Sequence, residues 1–242
     1  MAMFVAKTCG PLHEVEEFTR MLAGAEVNVA IGLKRLGHSV AYVTKLGTDP
    51  FGTYIENKLK AEGLDVQITK DEYHFTGYQL KGKVLEGDPE VFYYRRNSAA
   101  SCLSVEDIEK VDLEGARVLH ITGIPPALSK SCRKATYRLI ERAREKNMLV
   151  SFDPNLRPTL WESQEVMIET INDIASRADI VLPGTAEGKI LMGSDKPEEI
   201  AEFYRKNGAK AVIIKAGGAG AYADWEDGKA FYPGYKVKEV VD

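Results

Sequence analysis

Four short apolar segments, 118–121, 149–152, 179–182 and 211–214, recur about thirty residues apart with helix-period stretches between them. The intervening stretches 131–146, 162–177 and 197–207 place apolar residues on one face, with Ala135, Leu139 and Ile140 inward in the first. Strands alternating with helices fold as a mostly parallel sheet with helices on both faces. The rhythm starts earlier in the chain. A helix over 26–36 stops at Gly37, a strand follows at 39–44, and Asp49-Pro50 is a cap and first-turn pair for a helix that Gly63 closes.

Two stretches break that rhythm. The extended runs 76–84 and 91–95 flank the turn cluster Glu86-Gly87-Asp88-Pro89, which predicts a β-hairpin. A hairpin between βα units does not join a parallel core easily, so a flap over the sheet's edge is expected. The runs 220–223 and 230–232 flank Trp225-Glu226-Asp227-Gly228 as a second hairpin. No internal repeat, low-complexity tract or linker divides the chain.

Composition narrows the function classes. The chain has 242 residues, 44% hydrophobic, with a formal net charge of −4. That balance favours a packed core over disorder and gives no electrostatic footprint for DNA or anionic lipid. No apolar run approaches the ~18 residues of a membrane helix. Met1-Ala2-Met3-Phe4-Val5-Ala6 lacks a basic flank and breaks at Lys7, unlike a signal peptide. Cys9, Cys102 and Cys132 have no metal spacing and read as reduced thiols, so a cytoplasmic location is expected. The four histidines (His13, His38, His74, His120) are scattered, against zinc, and no Gly-x-Ser-x-Gly elbow is present.

In open α/β sheets ligands sit beyond the carboxyl ends of the strands, so the segments following strands matter most. Asp153-Pro154-Asn155-Leu156-Arg157-Pro158 brings a carboxylate, an amide and a guanidinium there, the last suited to a carboxylate or phosphate. An ordinary strand-to-helix turn with Asp153 as cap accounts for the same residues. Leu182-Pro183-Gly184-Thr185-Ala186-Glu187 reads as a helix start with Thr185 as cap and Glu187 in the first turn, facing a cation or complementing the helix dipole. The glycines of Lys215-Ala216-Gly217-Gly218-Ala219-Gly220-Ala221 allow backbone to approach phosphates, or serve a tight turn. Gly24 permits close approach at a helix start, with Asn28 one turn in. In Phe92-Tyr93-Tyr94-Arg95-Arg96, strand alternation puts Tyr93 and Arg95 on one face and Tyr94 on the other. Paired phenols and a guanidinium suit a polyol acid; a solvated edge strand is the competing reading.

Taken in order, Gly24-Ala25-Glu26-Val27-Asn28-Val29-Ala30, Leu46-Gly47-Thr48-Asp49-Pro50-Phe51-Gly52, 153–157, 182–187 and 215–221 resemble the motif succession of the ribokinase-like (PfkB-type) sugar kinases, over essentially the whole chain. The resemblance implies a three-layer α/β/α fold with a mostly parallel sheet and a small β-hairpin lid. It implies a nucleotide- and sugar-binding domain over 21–73 and 97–242, with the lid from 1–20 and 74–96. Within the family, residues 92–95 and 153–158 are most similar to the 2-keto-3-deoxygluconate kinases. ATP-dependent phosphorylation of that acid's 6-hydroxyl is implied, with another PfkB-type kinase (fructose or ribose) or a non-catalytic sugar-acid binding module as rivals. Gly24, Asn28, Tyr93, Tyr94, Arg95 and Arg157 would contact the sugar acid. Asn155, Arg157, Gly184, Lys215, Gly217, Gly218 and Gly220 would lie along the nucleotide. Glu187 would act through water on Mg2+, with a monovalent cation such as K+ as companion. The implied partners are the sugar acid, ATP and a second copy of the chain through the lid, whose strand edges need cover, with neither nucleic acid nor membrane.

Three departures stand against the family's pattern. Ala23 replaces the first glycine of Gly-Gly-Ala, and Gly184 replaces the asparagine of Asn-x-x-Glu, leaving metal positioning to Glu187. The family's Gly-Ala-Gly-Asp, anion hole and general base, follows a segment like Val240-Val241-Asp242, where this sequence stops; its start resembles the second half of the family's first strand. The expectation is therefore an inactive or severely impaired fragment of a kinase, prone to association through exposed apolar sheet.

Overall fold

The structure, a computed structural model, describes residues 1–238. Val240-Val241-Asp242, the segment after which the family's base motif is expected, lies outside them. Two compact units follow along the chain, Met1–Asp112 and Leu113–Asp242.

The first unit runs β1 (Ala2–Ala6), β2 (Phe18–Leu22), α1 (Ala25–Arg35), β3 (Ala41–Gly47), α2 (Pro50–Ala61), β4 (Asp65–Asp71), β5 (Tyr78–Lys81), β6 (Val91–Tyr94) and α3 (Val105–Glu109). β3 and β4 form a parallel pair from Ala41 opposite Asp65 to Gly47 opposite Asp71. The apolar stripes of α1 and α2 close a core of Val27, Ala30, Leu46, Ile55, Leu59 and Leu64. Burying a side chain of the larger kind contributes about 1.5–3 kcal/mol. α2 begins where expected, because one Asp49 oxygen accepts the amides of Phe51 and Gly52, each at 2.9 Å, and Pro50 fits the first turn. The other Asp49 oxygen accepts the Thr76 amide at 2.6 Å, and the Thr76 hydroxyl accepts the Gly47 amide at 2.9 Å. A Cβ on Gly52 would stand 2.1 Å from the Gly47 carbonyl, so the Leu46–Gly52 stretch is a close-packed structural turn.

The expected hairpin is present and shorter at its first arm: β5 and β6 pair antiparallel from Tyr78 opposite Tyr94 to Lys81 opposite Val91. Thr76 is drawn out of the ladder by Asp49. β1 adds parallel to β5 and β2 antiparallel to β1, giving a four-stranded sheet in the order β2-β1-β5-β6.

The second unit runs β7 (Val118–Thr122), α4 (Ile124–Leu128), α5 (Lys130–Glu145), β8 (Leu149–Asp153), α6 (Gln164–Ser176), β9 (Ile180–Val181), α7 (Thr185–Met192), α8 (Pro197–Lys206), β10 (Ala211–Lys215), β11 (Gly220–Trp225) and β12 (Gly228–Pro233). Its sheet has the order β12-β11-β10-β9-β8-β7, with β7 to β10 parallel and the β11–β12 hairpin added antiparallel. Val150, Ser151 and Phe152 are consecutive and all buried, so β8 is covered on both faces. Serine caps start α5 and α6, where Ser129 and Ser163 accept the amides of Cys132 and Val166. β9 is shorter than 179–182 because Asp179 turns its carboxylate onto the Val150 amide at 2.8 Å. The α/β class read from the sequence is the class observed.

Candidate active site

In the second unit, β8, β9 and β10 end side by side, and three short segments follow them. After β8, Asp153 is no helix cap. Its Oδ1 accepts the Asn155 amide at 3.2 Å, Asn155 takes a left-handed φ of +40°, and α6 starts only at Gln164. After β9, the cap is Gly184 rather than Thr185, which is the first helical residue. Thr185 loses that place because Glu187 reaches back and accepts the Gly184 amide at 2.6 Å. After β10, the backbone runs into a one-turn 3-10 helix, Gly217–Ala219, closed by the Ala216 amide on the Gly220 carbonyl.

One charge cluster ties the three segments. The second Glu187 oxygen accepts the Leu156 amide at 2.8 Å, fastening the β8 segment to the β9 segment. Lys215 donates to Asp153 at 2.6 Å and stands 3.9 Å from Glu187, joining the β10 segment to both. Lys215 N–H also donates to the Pro183 carbonyl at 2.8 Å. Thus Asn155, Gly184, Glu187, Lys215 and the glycine turn come together. Arg157 stays with its own segment, donating to the Leu156 carbonyl at 2.7 Å. Gly218 has open space where a Cβ would stand, whereas a Cβ on Gly220, at φ +120°, would meet the Tyr232 carbonyl at 2.0 Å. Only the first is free to serve a ligand; the second is required by the turn.

In the first unit, Tyr93 and Arg95 share a sheet face, the Arg95 guanidinium lying 4.2 Å from the Tyr93 ring centroid. Arg95 is 7% exposed and Tyr93 45%. Tyr94 is on the opposite face, stacked on Tyr78 with centroids 4.8 Å apart in a cluster with Phe4 and Phe51. The trio is therefore divided between two faces, as strand alternation requires. Gln79, which sequence reading passed over, lies directly opposite Tyr93 and is buried. The hairpin register is the signal that finds it. Gly24 caps α1 at φ +152°, accepting the Asn28 amide at 3.0 Å, and the Asn28 side chain is exposed. A groove of about 580 Å³ along α2 (Arg20, Tyr54, Lys58) and an aromatic pocket of about 350 Å³ (Phe51, Phe75, Tyr78) include none of the expected site residues.

The pfkB family carbohydrate kinase model matches residues 1–242. The chain belongs to that family. Its reaction is accordingly phosphoryl transfer to a carbohydrate hydroxyl. The 2-dehydro-3-deoxygluconokinase of Bacillus subtilis (strain 168) is 48% identical over 244 residues, covering 100% of this chain and 75% of that one. Fructokinase-1 of Oryza sativa subsp. japonica is 32% identical over 241 residues, covering 98% and 74%. A crystal structure of a PfkB protein from Polaromonas sp. JS666 superposes with a TM-score of 0.94 at 47% identity, covering 98% of this chain and 81% of that one. Phosphoryl transfer in general requires positioning and charge neutralisation more than covalent chemistry. Among the described residues, no helix is long and apolar enough to cross a membrane, and no group of three His, Cys, Asp or Glu side chains is placed to hold a metal ion.

Proposed function

We propose that this pfkB family kinase phosphorylates the 6-hydroxyl of 2-keto-3-deoxygluconate (2-dehydro-3-deoxygluconate), with ATP as donor. The observation that carries the choice of an acid is the buried Arg95 guanidinium held against the exposed Tyr93 ring. A planar fork beside a phenol satisfies a carboxylate and its neighbouring hydroxyls, whereas a neutral sugar gives a guanidinium nothing of opposite charge. The named likeness to the Bacillus subtilis enzyme points the same way.

In this reading Gly24, Asn28, Tyr93, Tyr94, Arg95 and Arg157 contact the sugar acid. Asn155, Arg157, Gly184, Lys215, Gly217, Gly218 and Gly220 contact the nucleotide. Residues 1–20 and 74–96 act as the lid, 21–73 and 97–242 as the binding domain, and two copies pair through the lid in the cytoplasm. The free thiols Cys9, Cys102 and Cys132 support a reducing compartment. The donor set near the glycine turn fits Mg2+ held through water, because Asp153 and Glu187 are carboxylates, the hard oxygen ligands that ion takes. Bound there, Mg2+ would neutralise phosphate charge; a K+ companion is kept as part of the same proposal.

Titration calorimetry of the chain with 2-keto-3-deoxygluconate, fructose and ribose tests the substrate, with coupled ADP release as the readout of turnover. One charge-assisted pairing gained with the acid should make it bind about tenfold or more tighter than either neutral sugar. Arg157→Leu should erase that preference. Equal binding of fructose or ribose would move the assignment to a neutral-sugar kinase. Binding of the acid without any binding of ATP would favour the binding module.

A further inference from the structure

The hairpin that carries Tyr93 and Arg95 is joined to the rest of the first unit by two segments, 71–77 entering β5 and 95–104 leaving β6. They run side by side: the Ala99 amide donates to the Phe75 carbonyl at 2.9 Å, and a Cβ on Gly77 would meet the Arg95 Cβ at 3.3 Å. Both are fastened by one ammonium that the catalytic reading leaves unused. Lys45, near the end of β3 and only 14% exposed along its side chain, donates to Asp107 at 2.9 Å and to the Cys102 carbonyl at 3.2 Å. It stands 3.8 Å from Asp71.

Each carboxylate it faces organises one segment. Asp71 Oδ1 accepts the amides of Tyr73 and His74, at 2.9 and 3.0 Å, and so shapes the turn that enters β5. Asp107 Oδ2 accepts the Ser104 amide at 3.0 Å, fixing the chain after β6 onto α3. Both carboxylates are buried; Asp71 also meets the His74 ring at 3.1 Å, and Lys45 is the ammonium that reaches both.

We propose that Lys45 is a positioning residue for sugar-acid recognition: by bridging Asp71 and Asp107 it holds the two roots of the hairpin together and thereby sets where Tyr93 and Arg95 stand. This rests on the assignment of Tyr93 and Arg95 to the sugar acid. Removing the ammonium takes the cation from Asp107 and leaves Asp71 with the His74 ring, and the uncompensated buried charge loosens the segment that begins at Arg95. A displaced Arg95 forfeits a charge-assisted hydrogen bond to the acid, about tenfold or more in affinity.

Calorimetry on the full chain separates the possibilities, using 2-keto-3-deoxygluconate and ATP as separate ligands on Lys45→Met, Lys45→Arg, the double variant Lys45→Met/Asp107→Asn, and Arg95→Met. Lys45→Met should weaken sugar-acid binding about tenfold or more while ATP binding stays within about twofold. Lys45→Arg, which keeps the charge, should restore most of the loss, and the double variant, with one buried carboxylate neutralised, should recover part of it. The double variant carries the comparison where Lys45→Met does not fold. A variant that only melts earlier, with the sugar-acid affinity of the wild type, overturns the inference, as does an equal loss for both ligands. If Lys45→Met binds normally and Arg95→Met does not, the inference fails and the substrate reading stands. If Arg95→Met itself binds the acid normally, the substrate reading fails.

Discussion

Glu187 is where a structural and a catalytic role can be pulled apart by one substitution. Its carboxylate accepts two backbone amides from different segments, Gly184 at 2.6 Å and Leu156 at 2.8 Å. Hydrogen bonds to a charged acceptor contribute about 1.5–3 kcal/mol each. Glu187→Ala orphans both amides, and because both bonds are only part-buried the lower figure applies, about 3 kcal/mol for the two. For a chain of this size each kcal/mol moves Tm by about 2–4 °C, so a fall of about 6–12 °C is expected. Glu187→Gln keeps one oxygen acceptor and should lose about half as much. The measurement is thermal unfolding by circular dichroism, without nucleotide or Mg2+, together with hydrogen exchange at the Leu156 and Gly184 amides. Both amides should exchange faster in Glu187→Ala. A Tm within about 2 °C of wild type, with unchanged protection at those two amides, would show that Glu187 does not clamp the segments and that only its dealings with bound ligand matter.

The pH dependence of stability should be set by carboxylates such as Asp179. Burial pushes that carboxyl up, but the Val150 amide and the Lys210 and Arg144 cations outweigh it and hold it below the ordinary Asp value. The folded chain therefore binds this proton less readily than the unfolded one. The associated stability is complete above the unfolded value, about 3.9, and is lost as pH falls through the lower folded value. Tm should fall on acidification below about pH 5, and Asp179→Asn should start lower at neutral pH and fall less steeply; an unchanged acid slope in that variant refutes the assignment. At the glycine turn, Gly220→Ala should destabilise by about 3 kcal/mol, from its left-handed backbone and the clash with Tyr232. Gly218→Ala, which meets nothing, should leave Tm alone and weaken ATP binding in calorimetry; unchanged ATP binding in that variant would show that the turn is purely structural.

What the sequence made legible was local. Asp49-Pro50 announces α2 because cap, first-turn proline and helix lie within a few residues, and the faces of Tyr93, Tyr94 and Arg95 follow from strand alternation alone. Pairings set by which strands become neighbours were hidden. Lys215 meets Asp153 across 62 positions and Glu187 meets Leu156 across 31, and both depend on the β8-β9-β10 order. Thr185 looked like a cap because its hydroxyl suits the task, yet the position went to Gly184, which has no side chain and is served by Glu187 instead. Lys45 did leave a trace, a single charge within the strand-forming run Tyr42-Val43-Thr44-Lys45-Leu46. A lone cation in a half-buried strand calls for carboxylates nearby, but Asp71 and Asp107 are identifiable as its partners only once the chain is folded.

The replacement of the family's asparagine by Gly184 acquires a physical meaning from these contacts. An amide side chain at that position would offer its own donor and acceptor to ligand. Gly184 offers only its backbone amide, and Glu187 already takes that. On the proposed assignment, an incoming phosphate would meet cations of two kinds. Arg157 is bonded to a neutral carbonyl, whereas Lys215 is bonded to the Asp153 carboxylate. A phosphate group attracts both, but it gains from Lys215 only the difference between its own pairing and the one Asp153 gives up, while from Arg157 it gains nearly the whole of a charge-assisted bond. If the carboxylates acquire a divalent cation along with the nucleotide, that balance reverses, because Lys215 is then released from a partner that no longer needs it. On the proposed assignment, charge at this rim would let metal and nucleotide favour one another, through Asp153, Glu187 and Lys215 together rather than through the residue that position 184 lacks.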